Sequence, residues 1–286
     1  MYSSDMDLCT QHFELTYEDD AGRIVRGVVT RPAEQSADLP GVIVVHGFKG
    51  FLRWGFFPEL QSRLAQAGLV SIAVNLSGSG VGEDLESFTD DEGFFTSTPS
   101  KDVEDVACVR SFLAASDLGV DTSRLALLGH SRGGGTALLQ AEEAGDYAAV
   151  VTWAAVSRTL RFPEETIATW RAQGALEIPN ARTGGIHRLS SAWLFDAEDN
   201  AAALDIRAAC ARSSTPTLLV HGTEDEAVPF EEALLLEASF APGTATLHGI
   251  EGAGHTFGAV HPMCATPSHL ERAFGVTLGF LAERLR

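Results

Sequence analysis

Short, unbroken apolar runs recur along this chain, most of them ending in glycine or a small polar residue. GVIVVHG (41–47), LVSIAVN (69–75), RLALLG (124–129), AAVVTWAA (148–155) and TPTLLVHG (215–222) are the clearest. None alternates apolar with polar, so each predicts a strand buried on both faces, the kind found in parallel sheets covered by helices. Helical segments fall between them, over about 58–67, 101–115, 132–143 and 230–239, with a terminal helix over about 267–285. Strands alternating with helices in this way define an α/β architecture with a mostly parallel sheet and helices on both faces.

Two stretches depart from that rhythm. HFELTYED (12–19) and IVRGVVTRP (24–32) alternate instead, which predicts an antiparallel hairpin across residues 20–22. Residues 157–212 interrupt the alternation for longer than an ordinary connection does, and they contain Trp170, Pro179, Gly184, Gly185 and Trp193. They are expected to form a helical lid or cap insertion over the sheet's edge, within a single domain spanning 1–286.

Charge narrows the partners. A net charge of -19, from 39 acidic and 20 basic residues, repels nucleic acid and anionic membrane surfaces. No apolar run approaches the ~18–20 residues of a membrane span. The start, MYSSDMDLCTQHFE, lacks the basic and apolar regions of a secretion signal, so a soluble, cytoplasmic protein is expected. Lys49 and Lys101 are the only lysines; an acidic, lysine-poor surface suits a saline cytoplasm or a GC-rich genome. Cys9, Cys108, Cys210 and Cys264 are scattered without metal-type spacing, which points to reduced structural thiols.

GHSRG (129–133) sits where a predicted strand gives way to a predicted helix, the context in which G-x-S-x-G has chemical meaning. The turn strains the serine backbone and brings neighbouring chain close, so glycine is needed two residues to either side. The competing reading is a glycine turn that cradles phosphate. A Walker loop would end in Gly-Lys-Ser/Thr, which is missing, and SGSGVGED (77–84) lacks the dinucleotide spacing. Ser131 is therefore the candidate nucleophile.

A serine hydroxyl needs a base, and the base needs an orienting carboxylate, in the chain order Ser, acid, His. LLVHGTEDEAVP (218–229) ends a predicted strand and offers Asp225, with Glu224 and Glu226 as alternatives. IEGAGHTFG (250–258) offers His255, with His261 as rival. His46 and His130 precede the acid, His221 adjoins it, and His248 falls within a strand. Backbone N–H groups of Arg132 and of Phe48, in HGFKGF (46–51), are the expected oxyanion donors.

These motifs, HGFKG, GHSRGG, HGTEDEAVP and GAGHTF, resemble the α/β-hydrolase superfamily over most of residues 41–286. They look like carboxylesterases of the cinnamoyl/feruloyl type and are similar to the hydrolase domains of the prolyl oligopeptidase and acyl-aminoacyl peptidase group. The resemblance implies an eight-stranded sheet, the triad Ser131, Asp225 and His255, oxyanion donors Phe48 and Arg132, and neither cofactor nor metal. Asn75 stands where many relatives carry aspartate, and serine in place of cysteine argues against a dienelactone hydrolase. The expected activity is that of a serine carboxylesterase cleaving small or aromatic acyl esters. A peptidase releasing an N-terminal or acylated residue, with an amide substrate, is the alternative, and a non-catalytic ligand-binding protein is a second. Phe51, Trp54, Trp170 and Trp193 are the expected pocket residues, although the two insertion tryptophans equally suit packing.

Overall fold

The computed structural model describes residues 7–17, 22–35, 37–179 and 184–286. β1 (Leu8–Thr16) and β2 (Ile24–Pro32) pair antiparallel, Leu8 opposite Pro32 and Thr16 opposite Ile24, as the alternation predicts. Asp20 and Ala21 of the expected turn, like residues 1–6, lie outside the described residues. The chain continues through β3 (Leu39–Val45), α1 (Phe57–Gln66), β4 (Val70–Asn75), α2 (Asp91–Phe95), α3 (Pro99–Ala115), β5 (Val120–His130), α4 (Arg132–Ala144) and β6 (Ala149–Trp153). After the insertion come β9 (Thr217–Gly222), α8 (Phe230–Ser239), β10 (Ala245–Ile250) and α9 (Ser268–Arg284). The strands form one eight-stranded sheet in the order β1-β2-β4-β3-β5-β6-β9-β10, with every pairing from β4 to β10 parallel.

The apolar runs become strands because both of their faces are covered. Ile43, Val45, Leu125 and Leu127 enter one core with Val106 and Val109 of α3 and Ala137 and Leu138 of α4. Their alternates Val42, Val44, Ala126 and Leu128 enter a second core with Leu60 and Leu64 of α1 and Phe274 of α9. Period-two geometry thus splits each run between two apolar layers. Local signals set the helix ends. Thr98 caps α3 by accepting the Lys101 N–H, with Pro99 in the first turn, and Gly145 ends α4 at φ 71.

The insertion holds α5 (Glu164–Gln173), β7 (Ala175–Pro179), β8 (Ile186–Ser190) and α6 (Ser191–Asp199), followed by α7 (Ile206–Arg212), which packs against α4 and α8. The expected all-helical content is thus joined by an antiparallel pair, β7 with β8. Their alternation is masked by Pro179 and by the opposed charges Glu177 and Arg188. Trp170, Ile178, Leu189, Trp193 and Leu194 form an apolar cluster here, and Phe94 of α2 completes it. At the base of the insertion, Thr159 Oγ1 donates to the Leu204 carbonyl at 2.8 Å. Among the described residues no helix is long and apolar enough to cross a membrane.

Candidate active site

The three triad candidates and Phe48 follow the C-terminal ends of parallel strands: Phe48 after β3, Ser131 after β5, Asp225 after β9 and His255 after β10. Open parallel sheets place their binding crevice at that edge. Ser131 has φ 56 and ψ -121, a conformation a non-glycine residue avoids, at a strain of about 1–3 kcal/mol. Its N–H donates to the Trp153 carbonyl at 2.8 Å, which ties the turn to β6. The hydroxyl does not cap α4, although Ser131 occupies the cap position. The glycines are steric requirements. A Cβ on Gly129 would lie 2.1 Å from the Gly133 carbonyl oxygen, and one on Gly133 would lie 2.3 Å from that of His46.

Asp225 and His255 meet directly. His255 Nδ1 donates to Asp225 Oδ2 at 2.7 Å, so its Nε2 carries the lone pair in the neutral ring. Asp225 Oδ1 accepts the Ala227 and Val228 amides, each at 2.9 Å, and His221 Nε2 lies 3.4 Å from Oδ2. Burial raises the pKa of this carboxyl, but the bonds from His221, His255 and Val228 outweigh it and hold the group well below the usual carboxylate range. Glu224 and Glu226 are exposed on either side. His261 is engaged elsewhere: its Nδ1 accepts the Gly55 N–H at 3.0 Å, its Nε2 lies 3.4 Å from Glu86, and its ring stacks on Trp54.

The other strand-end histidines hold the backbone of the site. His46 Nδ1 donates to the Gly47 carbonyl at 2.8 Å, and its Nε2 accepts the Leu76 N–H at 3.2 Å. The Gly47 carbonyl and the Phe48 N–H belong to one planar trans peptide and point in opposite directions. Holding the carbonyl therefore fixes the direction of the amide. The Phe48 N–H finds no acceptor among the described residues. The Arg132 N–H, at the first position of α4, has no intrahelical acceptor. Burial pushes His46 down to about 4, and the nearby Arg132 charge adds to that effect. His130 is pushed to about 3 by burial and by His255, and its Nε2 donates to the His255 carbonyl at 3.0 Å. Sequence reasoning had excluded these rings as bases without assigning them a task; their positions at strand ends were the available signal. Asn75, the departure noted above, is buried, and its Oδ1 accepts the Leu52 N–H at 2.7 Å.

Ser131 and His255 line one cavity of about 290 Å³, together with Phe48, Trp54, Phe57, His130 and Thr256. Among the described residues no hydrogen bond links the two, a bond that is often open in unliganded sites. Of the four expected pocket residues, only Trp54 lines this cavity. Phe51 is buried edge-on against Phe88 and His261. Trp170 and Trp193 stack on each other at 5.5 Å inside the insertion, because large apolar rings there must first cover its own small core. Trp193 also borders a small crevice beside Arg132 and Asp102. Among the described residues, no cluster of three or more His, Cys, Asp or Glu side chains could hold a metal ion.

Comparison with known proteins follows the same lines. The fold is similar to Est1E from Butyrivibrio proteoclasticus, with TM-score 0.70, 18% identity, and coverage of 96% of this chain and 98% of that one. It is similar to the alpha/beta hydrolase GrgF from Penicillium sp. sh18, with TM-score 0.72, 18% identity, and coverage of 97% and 99%. It is also similar to the Paleococcus ferrophilus monoacylglycerol lipase, with TM-score 0.63, 17% identity, and coverage of 98% and 100%. A comparison with proteins of curated function gives no match. The fold and the placement of the site define an α/β hydrolase. Residues 54–271 match the prolyl oligopeptidase family, and the chain belongs to that family.

Proposed function

We propose that this hydrolase is a serine carboxylesterase for small or aromatic acyl esters, working through an acyl-enzyme. The observation that carries the reading is the 2.7 Å Asp225–His255 pair, whose His255 lines one cavity with a strained serine whose hydroxyl does not cap its helix. Ser131 Oγ attacks the ester carbonyl carbon while His255 Nε2 takes the hydroxyl proton. Asp225 fixes the ring tautomer and stabilises the imidazolium. The carbonyl oxygen, now negative, accepts from the Phe48 and Arg132 amides. His255 then returns the proton to the leaving alkoxide and the alcohol departs. A water deprotonated by His255 attacks the acyl carbon, the acid leaves, and Ser131 regains its proton. The aromatic walls Phe48, Trp54 and Phe57 favour compact or ring-bearing esters over long acyl chains. Ferulic acid has been seen bound to Est1E, whose fold is similar.

Membership of the prolyl oligopeptidase family supports a second reading, hydrolysis of an amide at an acylated or free amino terminus. The same steps apply, with His255 protonating an amine instead of an alkoxide. A substrate panel decides between them: p-nitrophenyl acetate and octanoate, methyl ferulate and aminoacyl p-nitroanilides, on wild type and Ser131→Ala. Ester turnover that falls about 10⁴-fold or more in Ser131→Ala is expected. Faster anilide turnover would favour the peptidase, and wild-type rates in the variant would overturn both readings. Silence of the wild type together with no fluorophosphonate labelling of Ser131 would leave a ligand-binding protein.

A further inference from the structure

We infer that Asp102 and Arg132 are positioning residues for the oxyanion hole, a role that rests on the serine-hydrolase reading above. The Arg132 amide is one expected oxyanion donor, and its guanidinium reaches away to the first turn of α3. There Nη2 lies 3.1 Å from Asp102 Oδ2. The same guanidinium carbon lies 4.9 Å from the centre of the Phe48 ring, and Phe48 carries the other expected donor. The side chain of one donor residue thus touches the ring of the other, and a carboxylate outside the cavity fixes that cation.

The pair is not a surface ornament. The Asp102 side chain is 3% exposed and that of Arg132 18%. Both charges lose hydration on burial, so a buried pair persists only where its geometry is firmly held. Here α3 supplies the rigidity through the Thr98 cap and its packing on α4. Phe48 also stacks on Phe94 at 5.8 Å, so its ring is held between the insertion's cluster and the guanidinium. Without Arg132, the loop after β3 keeps the His46 and Gly50 bonds to the Gly47 carbonyl but loses a support of the Phe48 ring. Oxyanion donors act only within about 2.7–3.1 Å of the developing charge. Binding of uncharged substrate uses the cavity walls and does not need that precision. The loss should therefore appear in kcat and leave KM nearly unchanged.

The charges facing Asp102 are Arg132 on α4, Asp105 on α3, Arg23 before β2 and Asp196 on α6. Burial, against the pull of Arg132, raises the carboxyl to about 6. Below that pH the anchor of Arg132 is neutral, which adds an acid limb to the kcat profile that Asp102→Asn lacks.

The test uses full-length protein with p-nitrophenyl acetate, comparing wild type, Asp102→Asn, Arg132→Met and the double variant, with folding checked by circular dichroism. Arg132→Met keeps the backbone amide. Each single variant should lower kcat about tenfold with KM within twofold, the double should be no worse than the worse single, and phenylboronate affinity should fall with kcat. Wild-type kcat in either folded variant, or a loss confined to KM, overturns the inference. Should Asp102→Asn not fold, Arg132→Met decides by the same readout. Serine-dependent turnover untouched by these variants removes this inference alone, whereas a wild type without Ser131-dependent turnover removes the reading beneath it.

Discussion

His130 Nε2 donates to the carbonyl oxygen of His255 at 3.0 Å, so the residue before the candidate nucleophile holds the backbone of the candidate base. The two rings also lie 4.7 Å apart between centroids. Ser131 and His255 come from segments far apart in the chain, and this contact fixes the spacing between their loops.

Replacing His130 with alanine removes that tie and leaves the triad side chains in place. Displacement of a reacting group by about 1 Å costs roughly 10²-fold. Esterase kcat in His130→Ala should fall by about 10- to 100-fold while His255 remains present. Steady-state kinetics on p-nitrophenyl acetate checks this, and an unchanged kcat would show that the tie is dispensable.

Asp225→Asn keeps the shape of the acid but loses its charge and favours the wrong tautomer of His255. A fall in kcat of about 10⁴-fold is expected. Because the folded-state pKa of Asp225 is depressed, the stability it contributes is present above the ordinary value of about 4 and is lost only as pH falls further. The difference in melting temperature between wild type and Asp225→Asn should therefore be level above about pH 5 and shrink below 4.

His46 and His130 are held neutral, at about 4 and about 3, below the ~6.5 of a free imidazole. The unfolded chain takes up these protons first, so stability is full above about 6.5 and falls on acidification. Asp102, raised to about 6, acts with the opposite sign between about 4 and 6, because there the folded state holds the extra proton. Calorimetry across pH 4–7 should show a melting temperature that drops with acid, less steeply in His130→Gln and more steeply in Asp102→Asn. Equal slopes in all three proteins would contradict this assignment.

Gly133→Ala should fold poorly. Its Cβ would sit 2.3 Å from the His46 carbonyl oxygen, a backbone atom with nowhere to retreat. Overpacking of this kind costs about 1–3 kcal/mol or more. A chemical denaturation curve gives the loss, and a wild-type midpoint would mean that α4 can slide.

Much of this arrangement was legible in the sequence. The apolar runs announce central strands because both of their faces are buried. GHSRG is informative because its glycines answer a steric demand that any such turn makes. Asp225 and His255 followed from chain order. The pocket walls did not, because an aromatic side chain reads the same whether it lines a cavity or fills a core; Trp170 and Trp193 do the latter. The β7–β8 pair was hidden because its strands are short, carry opposed charges and include proline. The Asp102–Arg132 contact joins two helices through tertiary packing and leaves no periodic trace.

The bond between Thr159 and Leu204 closes the neck of the insertion. Chain that departs and returns at one point behaves as an exchangeable cassette: its contents can change in length or composition while the strands beneath keep their register. Ser131 would keep its place after β5, and Asp225 and His255 theirs after β9 and β10, whatever lies between. Among the described residues the wall of the Ser131–His255 cavity takes none from 157–212, so a new occupant would reach the candidate site through what it braces, as Pro179 does Lys49, and not as part of that wall.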